Sequence, residues 1–343
     1  MLLIVAHHFI VNSGVLQILD SNPNSWRSVA LYLEGAWGKT AINGFVLITG
    51  WFMCKSHITA RKFLKLLLEV VFYNIVCNAA FMLYGYHYYN FRELLLIFWP
   101  ISDIGKDFIS CYLVFFLLIP FLNILVHHMD RRSHLMLVTL CLGVYTILGS
   151  VPTIRVEFNY VTWFCILYLI SSWLRLYEYP YKHDVRFWTW AMFGSLFLAV
   201  CSILFIALIV NSDGYRLGCY ALLGESNKVL AVLLGVTSFM FFANINIPRS
   251  RLINTVAAST FGVLLIHANS DIMRHWLWVD VCNVAGHYTS AHFWPSIILV
   301  PPCIFVVCIM IDHLRLRYLE PPVLNYACSL VHKISSLVLK IHD

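Results

Sequence analysis

Two adjacent histidines, His7 and His8, stand near the start of the chain in an otherwise apolar run, Ile4-Val5-Ala6-His7-His8-Phe9. Asn12 follows four positions after His8, and Ser13 comes next. Residues four apart share one helix face, so His8 and Asn12 would project together. A neutral imidazole in apolar surroundings can take a proton from a hydroxyl, which is the work of a general base in acyl transfer. A histidine that hydrogen-bonds a neighbouring helix leaves the same signature, and from spacing alone that is the simpler reading. His267 is the second candidate, at the end of Thr260-Phe261-Gly262-Val263-Leu264-Leu265-Ile266-His267, with Asn269 and Asp271 just beyond. A carboxylate beside it would fix its tautomer and raise its basicity. An interfacial histidine with no chemical role is the alternative.

A third constellation is basic: Lys55, Arg61, Lys62 and Lys65 fall within eleven residues. Such a cluster could hold the phosphates of a coenzyme-borne donor. A cytoplasmic loop of a membrane protein is basic for a different reason, and Arg131 and Arg132 are open to the same two readings. Scattered acids (Glu34, Asp103, Asp107, Glu157, Asp213, Glu225, Asp271) could meet sugar hydroxyls or simply be solvated. No Gly-rich phosphate loop, G-x-S-x-G elbow or H-E-x-x-H occurs. The eleven cysteines include no C-x-x-C and no zinc-finger spacing to histidine, so no metal site is expected. Buried cysteine as a small hydrophobe accounts for most of them. Only Cys219 and Cys282 stand where a bridge could form.

The elements that must position these groups follow from composition. The chain has 343 residues, 60% of them hydrophobic and 12% charged, where a soluble domain carries roughly 25% charged residues. That excludes a cytosolic enzyme, a disordered chain and a small disulfide scaffold. Continuous apolar runs, rather than alternating ones, disfavour a β-barrel. The expectation is an all-α, polytopic integral membrane protein. A spanning helix needs about 20 mainly apolar residues, and ten runs qualify: 1–19, 31–54, 66–85, 108–126, 135–150, 159–175, 187–211, 228–244, 253–270 and 293–313.

With both termini cytoplasmic, the inner connections and tail hold fifteen of the twenty-three Lys and Arg residues and the outer ones eight, the asymmetry expected of such topology. The net charge of +6 therefore needs no nucleic-acid partner, and no basic stripe supports one. The partition is one transmembrane domain, 1–313, followed by a cytoplasmic tail, 314–343. In that tail Val331, Ile334, Leu337, Val338 and Ile341 recur at helical spacing with Lys333 and Lys340 between them. Such a helix would lie on the inner membrane surface or pack on the bundle. Met1 opens directly into apolar sequence without a charged lead-in or cleavage site, which reads as a first span that begins late rather than as a signal peptide.

Several stretches together resemble the membrane-bound acyltransferase type 3 family, whose members O-acylate bacterial cell-envelope carbohydrates. They are Ile4-Val5-Ala6-His7-His8, Asn43-Gly44-Phe45-Val46-Leu47-Ile48-Thr49-Gly50-Trp51-Phe52, Pro120-Phe121-Leu122-Asn123, Trp163-Phe164-Cys165-Ile166-Leu167-Tyr168-Leu169-Ile170, and Ser259-Thr260-Phe261-Gly262 leading to Leu265-Ile266-His267. The resemblance runs nearly end to end and implies the ten-span layout in the bacterial cytoplasmic membrane. It implies transfer of an acetyl group from cytoplasmic acetyl-CoA, without a metal, to a hydroxyl of an envelope or exopolysaccharide sugar.

His8 matches the family's first-span histidine, with His267 as a second catalytic candidate. Arg61, Lys62 and Lys65 stand at its donor-binding basic motif, although Leu66 and Glu69 follow where more basic residues are common. The family's basic residue about three turns before the histidine would precede Met1. A transporter or flippase for a lipid-linked saccharide is the alternative. It would show inverted repeats with paired broken spans, and Pro120, Pro295, Pro301 and Pro302 do not fall in corresponding positions.

Overall fold

Helix starts follow local side-chain chemistry. Ser25, Thr59, Asn90, Asp107, Asp130, Asn159, Asp184, Ser250 and Ser270 each accept a backbone N–H two or three residues further on, satisfying donors that a helix leaves orphaned at its start. At Asn90 the partnership is reciprocal, because the Glu93 carboxylate accepts the Asn90 N–H.

The structure is a computed structural model that describes residues 1–101, 103–105, 107–209 and 218–342, without the side chains of 332 and 334–342. Asp213 and the tail positions Ile334, Leu337, Val338, Lys340 and Ile341 therefore lie outside the described residues or side chains. The helices in chain order begin with α1 (Leu2–Val11), α2 (Leu16–Ser21), α3 (Trp26–Gly35), α4 (Gly38–Met53), α5 (Ala60–Leu83) and α6 (Phe91–Phe98). Then come α7 (Phe108–His128), α8 (Arg131–Cys141), α9 (Tyr160–Leu176), α10 (Val185–Leu208), α11 (Val229–Asn244) and α12 (Arg251–Ala258). The last are α13 (Thr260–His267), α14 (Asp271–His275), α15 (Val284–His287), α16 (Phe293–Leu314) and α17 (Glu320–His342). The described residues contain no strand.

Among the described residues, five helical runs are long and apolar enough to cross a membrane: α5, α7, the run from α8 to Ser150, α10, and the run from α16 to Val331. Their outward faces are apolar where a soluble protein would be polar. Leu117, Phe121 and Ile124 of α7, Trp190 and Phe197 of α10, and Ile298, Val306 and Met310 of α16 are all exposed. Surface of this kind is stable against lipid and not against water. The fold is a multi-pass helical membrane protein.

Three expected spans are each divided between two helices, and in the run 31–54 a turn at Ala36 and Trp37 separates α3, ending at Gly35, from α4, beginning at Gly38. The run 1–19 is not one helix: α1 stops at Asn12, Ser13 turns its hydroxyl back to the Ile10 carbonyl, and Gly14 takes a left-handed φ of +74°. The run 253–270 is broken at Ser259 between α12 and α13. The Cys219–Cys282 bridge does not exist, and all eleven cysteines are unbridged. Helix α16 passes through a π turn, Arg315–Leu319, into α17 without interruption.

Buried polar groups join the helices. Asn43 of α4 donates to the carbonyls of Ser226 (2.7 Å) and Ala231 (3.2 Å) and accepts from Trp163 Nε1 (3.0 Å), tying α4 to α9 and α11. Its amide is fully satisfied, as a group in an apolar interior must be. One end of the bundle gathers the turn after α4, the ends of α7 and α9, and the start of α5. There Asn123 donates to Met53 O and Ser56 O, and Tyr177 donates to Met129 O.

At that same end lies a buried ionic cluster. Arg315 donates through Nε to Asp312 (2.8 Å), through Nη2 to Glu69 (2.8 Å) and through Nη1 to Glu320 (2.9 Å). Tyr73 donates to the same Asp312 oxygen (2.8 Å), and Lys65 pairs with Glu320 (2.7 Å). The opposite end collects the loop before α4, the loops flanking α6, and the segments around α9's start and α14. There Lys39 donates to Tyr160, Arg27 to Tyr288 O, and Tyr86 to Asp280.

Candidate active site

Helix α1 lies against α3, α4, α13 and α16, and that placement brings the two ends of the chain's chemistry together. His8 Nδ1 lies 3.0 Å from His267 Nε2, across 259 positions of sequence. The rings are 5.1 Å apart between centroids and inclined at 45°. His267 is fully buried, its Nδ1 2.6 Å from the Val263 carbonyl one turn back in α13, and the edge of its ring meets Trp278. His7 turns aside: its Nδ1 lies 2.6 Å from Gly35 O.

These contacts determine a tautomer. A carbonyl oxygen only accepts, so the proton on His267 is at Nδ1, and in the neutral ring Nε2 carries the lone pair. His8 Nδ1–H is then the donor to it, and the lone pair of neutral His8 is on Nε2. A base held in one tautomer by a second ring, itself held by a backbone carbonyl, is the orientation logic of an activated proton acceptor.

His7 and His8 line a cavity of about 350 Å³ with Lys39, Asp107, Tyr160 and Arg274. Lys39 Nζ donates to Tyr160 Oη at 2.9 Å and lies over the same ring. Arg274 pairs with Asp271. A second hollow of about 640 Å³ shares Asp103, Asp107, Ile109, Ala268 and Arg274 with the first. It adds amides, aromatics and two carboxylates, among them Asn74, Asn78, Tyr89, Glu93, Trp99 and Asp271. The two hollows adjoin at their shared residues, and His8 lines the first of them.

Several expected partnerships take other forms. Asn12 does not bond the His8 ring: it ends α1, its N–H bonded to His8 O, and its amide nitrogen is buried without a partner. Asp271 does not reach His267. Ser270 caps a new helix, so Asp271 falls in the exposed first turn of α14, paired with Arg274, and the Val263 carbonyl fixes the tautomer instead.

Arg61, Lys62 and Lys65 are at the other end of the bundle. Asn78 of α5 lines the second hollow, and Lys65 is thirteen residues earlier on the same helix, or about 20 Å at 1.5 Å per residue. Arg61 donates to Asn325 (3.1 Å), Lys62 to Ser56 Oγ (2.7 Å) and His57 O (2.8 Å), and Lys65 pairs with Glu320. The Arg315 cluster has no counterpart in the sequence reading. Its signal is there, since Glu69 and Asp312 are charges inside apolar runs, and such charges call for partners.

A family model described as an acyltransferase domain matches residues 1–313. No curated protein and no solved structure matches the chain.

Proposed function

The chain belongs to this acyltransferase family, acyltransferase type 3, and on that premise we propose that it moves an acetyl group from acetyl-CoA to a sugar hydroxyl. The acceptor is a glycan of the cell envelope or an exopolysaccharide. The setting is the bacterial cytoplasmic membrane, with ten spans, both termini inside, and residues 314–343 as a cytoplasmic amphipathic tail. The His8–His267–Val263 chain is the observation that carries the reading. It supplies one base of defined tautomer, at a polar cavity, in a protein otherwise built of apolar helices.

In the reaction, His8 Nε2 takes the acceptor's hydroxyl proton as the oxygen attacks the thioester carbonyl. The carbonyl–sulfur bond breaks, and the imidazolium returns the proton to the departing thiolate, so ester and thiol are formed and His8 is neutral again. Attack by Nε2 itself on the thioester, with His8 as a transient acyl carrier, uses the same lone pair. His267 acts through His8 and is a positioning residue. A thioester donor requires no metal in either route.

The second hollow, with Asn74, Asn78, Tyr89 and Trp99, has the amides and aromatic faces that suit a polyhydroxylated acceptor. Arg61, Lys62 and Lys65 provide cations for the donor's phosphates at the basic end, in place of their present partners. The test is His8→Ala, assayed for transfer of radiolabel from acetyl-CoA into envelope glycan. The expected result is a fall of roughly 10²–10⁴-fold, the usual worth of a general base. Unchanged transfer would refute the role.

A further inference from the structure

Asp312 is a carboxylate with no solvent exposure inside a helix that faces lipid. Its Oδ1 receives two hydrogen bonds, from Tyr73 and Arg315, and its Oδ2 is buried with no partner. Burying a charge is costly unless partners compensate for it, and here three carboxylates (Glu69, Asp312, Glu320) face two cations (Arg315, Lys65). Without Asp312 the cluster would balance at two and two. Arg315 and Lys65 already have Glu69 and Glu320 as partners, so pairing these cations does not by itself account for Asp312.

Its position suggests what it does serve. The Asp312 carboxylate lies against Gly262 of α13, so closely that a Cβ placed on Gly262 would be 2.1 Å from Oδ1 and 2.3 Å from Cγ. Only glycine fits there, and close approach of this kind fixes how two membrane helices meet. Gly262 is five residues before His267 on the same short helix, about 7.5 Å along the axis. Helix α13 has only eight residues and is broken from α12 at Ser259, so α12 does not continue it. Helix α16 packs on both α13 and α1, the two helices that carry the histidine pair.

We propose that Asp312 and Arg315 are positioning residues: held by Tyr73 and by Arg315, which Glu69 and Glu320 hold in turn, the Asp312 carboxylate is the seat of Gly262 and sets the depth and rotation of α13, and so the His267–His8 bond. The proposal rests on the acetyl-transfer reading for its kinetic consequence, while its structural consequence stands apart from that reading. The ionic cluster at the basic end thus governs the base at the other end through one small contact.

The test uses the full chain with Gly262→Ala, Asp312→Gly and the double variant, glycine being needed at 312 because the Asp312 Cβ would itself stand 2.9 Å from the new methyl. Each single change should lower kcat by roughly tenfold to a hundredfold, the scale of an ångström-sized misplacement, with KM for donor and acceptor unchanged. The double variant should be more active than either single one, because the new methyl occupies space the carboxylate has left. In ¹⁵N-histidine-labelled protein, both single variants should shift the His8 and His267 ring signals and the double variant should move them back.

Tyr73→Phe removes one clamp without changing volume and serves if Gly262→Ala does not fold. It should lower kcat several-fold in protein that still folds, and a wild-type kcat and spectrum in it would count against the clamp. Wild-type kcat and spectrum in Gly262→Ala, or a double variant no better than the worse single, would overturn the proposal. Full transfer by His8→Ala would instead overturn the acetyl-transfer reading and leave the spectral test of positioning intact.

Discussion

Replacing His267 by phenylalanine isolates what the second ring does for the first. Phenylalanine keeps a flat ring in a site with no solvent exposure but has no nitrogen to accept from His8 Nδ1–H, now 3.0 Å away. A buried donor left unsatisfied costs about 1–3 kcal/mol. Recovering a partner by flipping or changing tautomer takes the lone pair away from Nε2. At about 1.4 kcal/mol per factor of ten, the penalty corresponds to a fall in kcat of roughly 5- to 150-fold. That is smaller than the roughly 10²–10⁴-fold expected for His8→Ala, where the base itself is lost. Glutamine at 267 offers an amide oxygen to His8 and an amide N–H to the Val263 carbonyl, so His267→Gln should keep most of the rate. The assay is the initial rate of radiolabelled acetyl transfer to glycan at saturating donor, with thermal unfolding in detergent as the check on folding. A phenylalanine variant within twofold of wild type, or a glutamine variant as slow as the phenylalanine one, would refute the tautomer argument.

Three further outcomes follow from the same contacts. Asn43→Ala leaves Trp163 Nε1 and the Ser226 and Ala231 carbonyls without their partner and should destabilise the fold by about 2–3 kcal/mol, seen as a lowered midpoint in detergent; no shift would mean that α4 is not tied there. Lys39→Met removes the cation held by Tyr160 at the cavity and should raise KM for the acceptor with kcat within about twofold, whereas an unchanged KM would place the acceptor elsewhere. Single cysteines introduced at the exposed positions Lys55 and Arg92 should react with an impermeant thiol reagent from opposite faces of the membrane, and labelling from the same face would break the ten-span topology.

What the sequence made legible divides along the range of the interaction. Asp107, Asp130, Asn159 and Asp184 open helices because each side chain bonds a backbone N–H two or three residues away, and that information is wholly local. The long apolar runs are equally local, and α5, α7, α10 and α16 all fall in expected spans. The breaks at Gly14 and Ser259 were hidden because apolar composition continues across them; hydrophobicity reports burial in lipid and is blind to a turn made inside it.

The site lay beyond that range. His8 was expected to find Asn12 four residues away and His267 to find Asp271, since only near neighbours can be paired by spacing. Each found the other instead, across 259 positions. Arg315 likewise reaches Glu69 across 246. Yet these residues shared one readable property: each is a polar or ionisable group at or near the depth of an apolar run, where it is costly alone. That cost makes the existence of a partner a local inference and its identity a tertiary one. Glu69 could be read as a departure from a basic motif; the fold gives it a positive reason, because an arginine there would face Arg315 where the structure has a carboxylate.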